Sequence, residues 1–120
     1  MKIMIVEDDR TTRKIFGLYL NKYKYDAVFA ENGIEAIEKL ASNDVDLIVT
    51  DLNMPFMDGF ELICNLKKDP SLKKIPILIT SIETDEAERE KGFKAGADAY
   101  LVKPMSSVTF INEINKLLGI

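Results

Sequence analysis

Apolar runs and amphipathic stretches alternate five times along this chain. Apolar runs fall at 2–6, 26–30, 45–50, 76–81 and 99–102, and they are rich in Ile, Val and Leu. They mostly lack the polar alternation of a half-exposed strand, which predicts a parallel sheet covered on both faces. Helical spacing predicts helices over 11–22, 33–41, 59–68, 85–95 and 106–118. The first places Ile15, Leu18, Tyr19 and Lys22 at helical intervals. The second does the same with Ile34, Ile37 and Leu40, and the last with Phe110, Ile114, Leu117 and Leu118. Asn32 followed by Glu35 comes close to a capping box. The stretch 85–95 has a thin apolar stripe, chiefly Ala87 and Phe93, and Gly92 adds backbone freedom. That helix is expected to be weakly anchored.

Strands alternating with helices of this length predict right-handed βαβ units and an α/β fold. Turn signals separate them at Asn32-Gly33, Asp58-Gly59, Asp69-Pro70, Ala95-Gly96 and Lys103-Pro104. Five strands and five helices use up residues 1–120, so a single domain is expected. A chain of this length buries roughly two-thirds of its unfolded surface.

Ligands of open α/β sheets bind outside the carboxyl ends of the strands. Here Glu7-Asp8-Asp9 follows the first strand and Asp51 the third, Ser81 closes the fourth, and Lys103 follows the fifth. A carboxylate where a buried strand runs out is costly unless something binds or pairs with it. Glu7, Asp8 and Asp51 supply hard oxygen ligands suited to Mg²⁺. The Asn53 carbonyl, two residues past Asp51, can complete the metal shell. A carboxylate can also attack a phosphoryl group. Both reactants are negative, and a divalent cation together with Lys103 can neutralise them. Ser81 can hydrogen-bond a phosphoryl oxygen. Asp9 is expected to complement the first helix N-terminus, and Asp58 to be a turn residue.

Composition narrows the chemistry further. Without histidine there is no Ser-His-Asp triad, no histidine-zinc site and no histidine phosphocarrier. The lone Cys64 makes neither an internal disulfide nor a cysteine-rich zinc site, and is expected on the apolar side of a helix. A net charge of −4 with no basic stripe argues against direct nucleic-acid binding. Lys67-Lys68 and Lys73-Lys74 read as solvated loop charges. No apolar run approaches the ~20 residues of a membrane span. The start lacks signal-peptide features, so a cytoplasmic location without membrane insertion is expected.

The motifs Ile5-Val6-Glu7-Asp8, Thr50-Asp51-Leu52-Asn53-Met54-Pro55, Met57-Asp58-Gly59, Pro76-Ile77-Leu78-Ile79-Thr80-Ser81 and Lys103-Pro104 span nearly the whole chain. In that order and spacing the chain resembles the CheY-like receiver domains of response regulators. The resemblance implies a flavodoxin-like fold, with five parallel strands in the order 2-1-3-4-5 and five helices on both faces. It implies Asp51 as phosphoacceptor and Mg²⁺ or Mn²⁺ as cofactor. Asp8 would bind the metal directly, Glu7 through water, and Asn53 by its backbone carbonyl. Ser81, chosen over Thr80 by spacing, becomes the switch hydroxyl. Tyr100 becomes the switch aromatic that turns inward, and Lys103-Pro104 the cis peptide. Asn53 and Glu83 flank the water path and tune the phosphoryl lifetime.

The implied phosphodonor is a histidine kinase or histidine phosphotransfer protein. The implied output is a protein target met through the helix 4–strand 5–helix 5 surface. Such a protein is a switch and not a metabolic enzyme, although it assists its own phosphorylation and dephosphorylation. Ile82 departs from the family pattern, which has a small residue there, and is expected to narrow access to Asp51. Alternatives are a phosphorylation-independent scaffold and a receiver module of a longer regulator. A haloacid-dehalogenase-type phosphatase wants Asp-x-Asp after the first strand, which is absent in that frame. In a flavodoxin the acids at 7–9 would repel the flavin phosphate.

Overall fold

The computed structural model describes residues 1–120 as strands and helices in strict alternation. The strands are β1 (Lys2–Val6), β2 (Asp26–Ala30), β3 (Leu47–Thr50), β4 (Ile77–Ser81) and β5 (Ala99–Val102). The helices are α1 (Arg10–Lys22), α2 (Gly33–Leu40), α3 (Gly59–Lys68), α4 (Glu86–Ala95) and α5 (Ser107–Leu118). All strand pairs are parallel, and the sheet order is β2-β1-β3-β4-β5. This is the doubly wound, flavodoxin-like order expected above.

Strand alternation divides the core between the two sheet faces. Ile3 and Ile5 of β1, Leu47 and Val49 of β3, and Leu78 and Ala99 pack with Phe16 and Leu20 of α1 and Phe110 of α5. The rings of Phe16 and Phe110 stack with centroids 4.6 Å apart. Met4 and Val6, Ile48, Ile77, Ile79 and Tyr100 lie on the other face, against Leu62, Ile63 and Leu66 of α3. The edge strand β2 is only partly covered.

Helix entrances are set by side chains that accept backbone N–H groups. Asp9 caps α1 through Thr12 N at 2.8 Å, and Asn32 caps α2 through Glu35 N at 2.9 Å. Glu35 turns along the helix to Lys39, 3.0 Å away, so the capping box is one-sided. Asp58 caps α3 through Glu61 N and is not a simple turn residue.

Several helix faces differ from the expected ones. In α1 the buried residues are Phe16 and Leu20, while Ile15 and Leu18 face solvent. In α2 Ala36 and Leu40 are buried and Ile34 is exposed. Cys64 is exposed, because Leu62, Ile63 and Leu66 take the inner side of α3. In α4 Ala87 and Phe93 are exposed and Gly92 is the buried residue. A Cβ on Gly92 would meet Ile79 Cδ1 at 2.5 Å, so this glycine permits close approach to the sheet. Lys67 and Lys68 form the last turn of α3, and Lys67 Nζ donates to the Lys73 carbonyl.

Candidate functional site

The parallel ladder runs one residue past three strand ends. Glu7 N donates to Ala30 O at 3.0 Å, Asp51 N to Val6 O at 3.0 Å, and Lys103 N to Ser81 O at 2.8 Å. Extending the alternation by that residue sends Glu7, Asp51 and Lys103 to the α1–α5 face. There they meet. Lys103 Nζ lies 3.0 Å from Glu7 Oε2 and 3.4 Å from Asp51 Oδ1.

Carboxylate oxygens of Glu7, Asp8 and Asp51 lie within 4.8 Å of one another, close enough to share one cation. Glu7 and Asp51 are buried, at 1% and 7% exposure, and Asp8 is open to solvent. Two buried carboxylates therefore share a single lysine. Burial pushes the Glu7 carboxyl up from 4.5 to about 7, and the charge of Asp51 adds to this. The Lys103 hydrogen bond and charge, with the Asp9 N–H, pull the other way. Such a site has excess negative charge and hard oxygen donors, which fits a small divalent cation.

Asp51 is held from below as well. Its Oδ1 accepts the Leu52 N–H at 2.8 Å, and its carbonyl accepts the Thr50 hydroxyl at 2.9 Å. The chain then returns so tightly that a Cβ on Gly59 would run into the Asp51 carbonyl oxygen. Gly59 N donates to Leu52 O at 2.9 Å and closes this loop.

An open cavity of about 410 Å³ gives access to Asp51 between Glu7, Asp8, Asn53, Ile82 and Lys103. Ile82 lines this cavity and stands 69% exposed. Thr12 and Pro104 also line it. Thr12 was not legible as a site residue, because it sits one turn into α1 with no distinguishing motif. The Lys103–Pro104 peptide bond is cis.

Ser81 and Tyr100 lie behind the cavity and do not line it. Ser81 is fully buried, and its Oγ accepts the Glu83 N–H at 3.1 Å. Tyr100 already points inward, and its hydroxyl donates to the Glu83 carbonyl at 3.0 Å. Glu83 thus joins the two through opposite sides of its backbone. The neighbouring Thr80 hydroxyl is buried without a partner.

Comparison with known proteins places this geometry in a family. The profile described as response regulator receiver domain matches residues 3–115. Chemotaxis protein CheY1 of Helicobacter pylori strain ATCC 700392 / 26695 is 37% identical over 121 residues, covering 99% of this chain and 98% of its own. Transcriptional regulatory protein ResD of Bacillus subtilis strain 168 is 38% identical, and the match covers 98% of this chain and 48% of ResD. The structure of chemotaxis protein CheY4 of Vibrio cholerae superposes with a TM-score of 0.92 at 30% identity, covering 97% of each chain. The chain belongs to the response regulator receiver domain family. It is a CheY-like receiver domain of two-component signalling.

Proposed function

We propose that the chain is a phosphorylation-dependent signalling switch with Asp51 as phosphoacceptor. The observation that carries this reading is the buried Asp51 carboxylate between Lys103 and the Glu7–Asp8 pair, at the base of an open cavity. Glu7, Asp8, Asp51 and the Asn53 carbonyl would hold Mg²⁺ or Mn²⁺. When bound, the cation neutralises charge between the carboxylate and the phosphoryl oxygens. One Asp51 oxygen attacks phosphorus on a phosphohistidine of a histidine kinase or phosphotransfer protein. The P–O bond forms as the P–N bond breaks, and the imidazole nitrogen leaves with the electron pair and takes up a proton. Lys103 Nζ stays beside Asp51 Oδ1 and offsets the charge that the phosphoryl group brings.

Ser81 then turns from the Glu83 N–H toward a phosphoryl oxygen. Because Tyr100 holds the other side of the same residue, this movement reaches the surface of α4, β5 and α5, where a protein partner reads it. Water later attacks the acyl phosphate, along a path flanked by Asn53 and Glu83. Ile82 limits how easily both donor and water enter. Residues 1–120 form one receiver domain in this reading. It serves a stand-alone protein as in CheY1, or a module as in the longer ResD.

The test is incubation with Mg²⁺ and a small phosphodonor, followed by intact mass. The chain gains one phosphoryl group and Asp51→Asn gains none. A chain that takes up no phosphoryl group from any donor is a scaffold, and one that turns over phosphate esters is a phosphatase.

A further inference from the structure

Glu7 and Asp8 sit on a loop whose backbone has lost its strand partner. The ladder with β2 ends at Ala30, which accepts the Glu7 N–H. Beyond it the chain turns into α2, so no neighbouring strand offers the Glu7 carbonyl an N–H. The donor comes from α1 instead. Arg13 Nη1 lies 2.8 Å from Glu7 O and 3.5 Å from Asp8 O. The second nitrogen, Nη2, lies 3.4 Å from Glu31 Oε1 at the end of β2. The Arg13 side chain is only 17% exposed, while that of Glu31 is 63% exposed. One planar fork therefore spans the two acidic residues and the strand beside them.

We propose that Arg13 is a positioning residue for the metal: it fixes the backbone from which Glu7 and Asp8 present their carboxylates, and so sets the affinity of the acidic cluster for Mg²⁺. This rests on the reading of that cluster as a cation site. It assigns Arg13 no contact with the cation or the phosphoryl group. A partner that orients metal ligands from outside contributes about 10- to 100-fold in affinity. The geometry makes Arg13 such a partner through main-chain carbonyls.

Electrostatics and positioning predict opposite signs, which makes the idea easy to overturn. Removing a positive charge near a cation site tightens cation binding by Coulomb's law. Removing a positioning fork weakens it. Mg²⁺ alone is titrated calorimetrically into the wild-type chain, Arg13→Gln, Arg13→Lys and Glu31→Gln. Metal-free thermal unfolding confirms that each is folded, and Arg13→Lys decides if Arg13→Gln does not fold. Both Arg13 variants are expected to bind Mg²⁺ at least about tenfold more weakly. Amides of residues 7–9 should exchange faster in both. Glu31→Gln trims only an exposed pair and should bind like the wild type.

Equal or tighter binding by Arg13→Gln overturns the proposal. So does wild-type binding by Arg13→Lys, since charge alone would then suffice, or a loss in Glu31→Gln as large as in Arg13→Lys. A wild-type chain that does not bind Mg²⁺ sinks the cation-site reading itself. Binding that is indifferent to Arg13 sinks only the role of Arg13.

Discussion

Glu7 has the most informative chemistry of any single side chain here. Its folded-state value of about 7 stands above its ordinary 4.5, because it is buried beside Asp51. The folded chain therefore holds this proton more tightly than the unfolded chain does. The stabilising contribution is full below about 4.5 and is lost as pH rises through about 7. In chelator, the wild-type chain should lose stability relative to Glu7→Gln across that window and run parallel to it at higher pH. Denaturant melts from acid to neutral pH check this, and parallel curves throughout would rule it out. A proton on Glu7 also competes with a cation. Mg²⁺ affinity should thus rise with pH up to about 7 and then level off.

Ile82 is the second residue whose identity matters. It stands exposed at the rim of the cavity that leads to Asp51. Ile82→Ala removes side-chain bulk from this lining and leaves the acids and Lys103 unaltered. Both gain of the phosphoryl group from a small donor and its later loss to water should speed up, by about two- to tenfold if access sets a barrier of up to ~1.4 kcal/mol. Time courses followed by intact mass read both rates, and unchanged rates would mean that Ile82 does not gate the site.

At the scale of elements, α4 differs from the other helices. Its inner surface is Gly92, pressed against Ile79, with no large buried side chain. Ala95 packs partly buried against the core, and cations over rings add to the hold. Lys91 Nζ lies 4.2 Å from the Phe60 ring centroid, and the Arg89 guanidinium lies 5.9 Å from that of Tyr100. Such contacts contribute roughly 0.5–1 kcal/mol each at exposed sites. A buried Leu or Phe contributes about 1.5–3 kcal/mol. Local opening should then be easiest at α4. Hydrogen exchange should show amides of Glu86–Ala95 exchanging about tenfold faster than those of α3 or α5. Protection equal to that of α3 would contradict this. In the proposed switch, this weak hold would let α4, which borders Tyr100, respond to it.

The same elements show what the amino-acid pattern can and cannot reveal. Strand positions were legible within two residues, because buried parallel strands leave short Ile- and Val-rich runs between turn residues. The inner face of α1 was not. Ile15, Leu18 and Tyr19 form one helical stripe, and Phe16 and Leu20 form another beside it. Only tertiary packing selects the second, by burying Phe16 and Leu20 against the sheet and stacking Phe16 on Phe110 of α5 from the far end of the chain. Cys64 and Ile34 were misplaced for the same reason: each lies next to a buried stripe, about 100° away from a neighbour that faces inward.

Across the whole molecule, the candidate site was legible because strand ends point it out. Glu7, Asp51 and Lys103 are far apart in sequence and are brought together by one sheet order and one register. Arg13 was missed because its work is done through main-chain carbonyls, which leave no pattern in side-chain identities. The link from Ser81 to Tyr100 was anticipated as a pair, but its means was not. Both bond to Glu83, one to its N–H and one to its carbonyl. Ser81, the Glu83 backbone and Tyr100 thus form one hydrogen-bonded link, which borders α4 where the Arg89 guanidinium lies 5.9 Å from the Tyr100 ring centroid.

In the proposed switch, Asp51 carries the phosphoryl group as an acyl phosphate. Borohydride reduction tests it most directly, since it converts an aspartyl phosphate to homoserine and leaves a free carboxylate unchanged. After treatment with a small phosphodonor and Mg²⁺, peptide mapping of the reduced chain should find homoserine at position 51 and nowhere else. Homoserine at position 8 or 9, or a borohydride-resistant phosphoryl group on Ser81, would contradict the account.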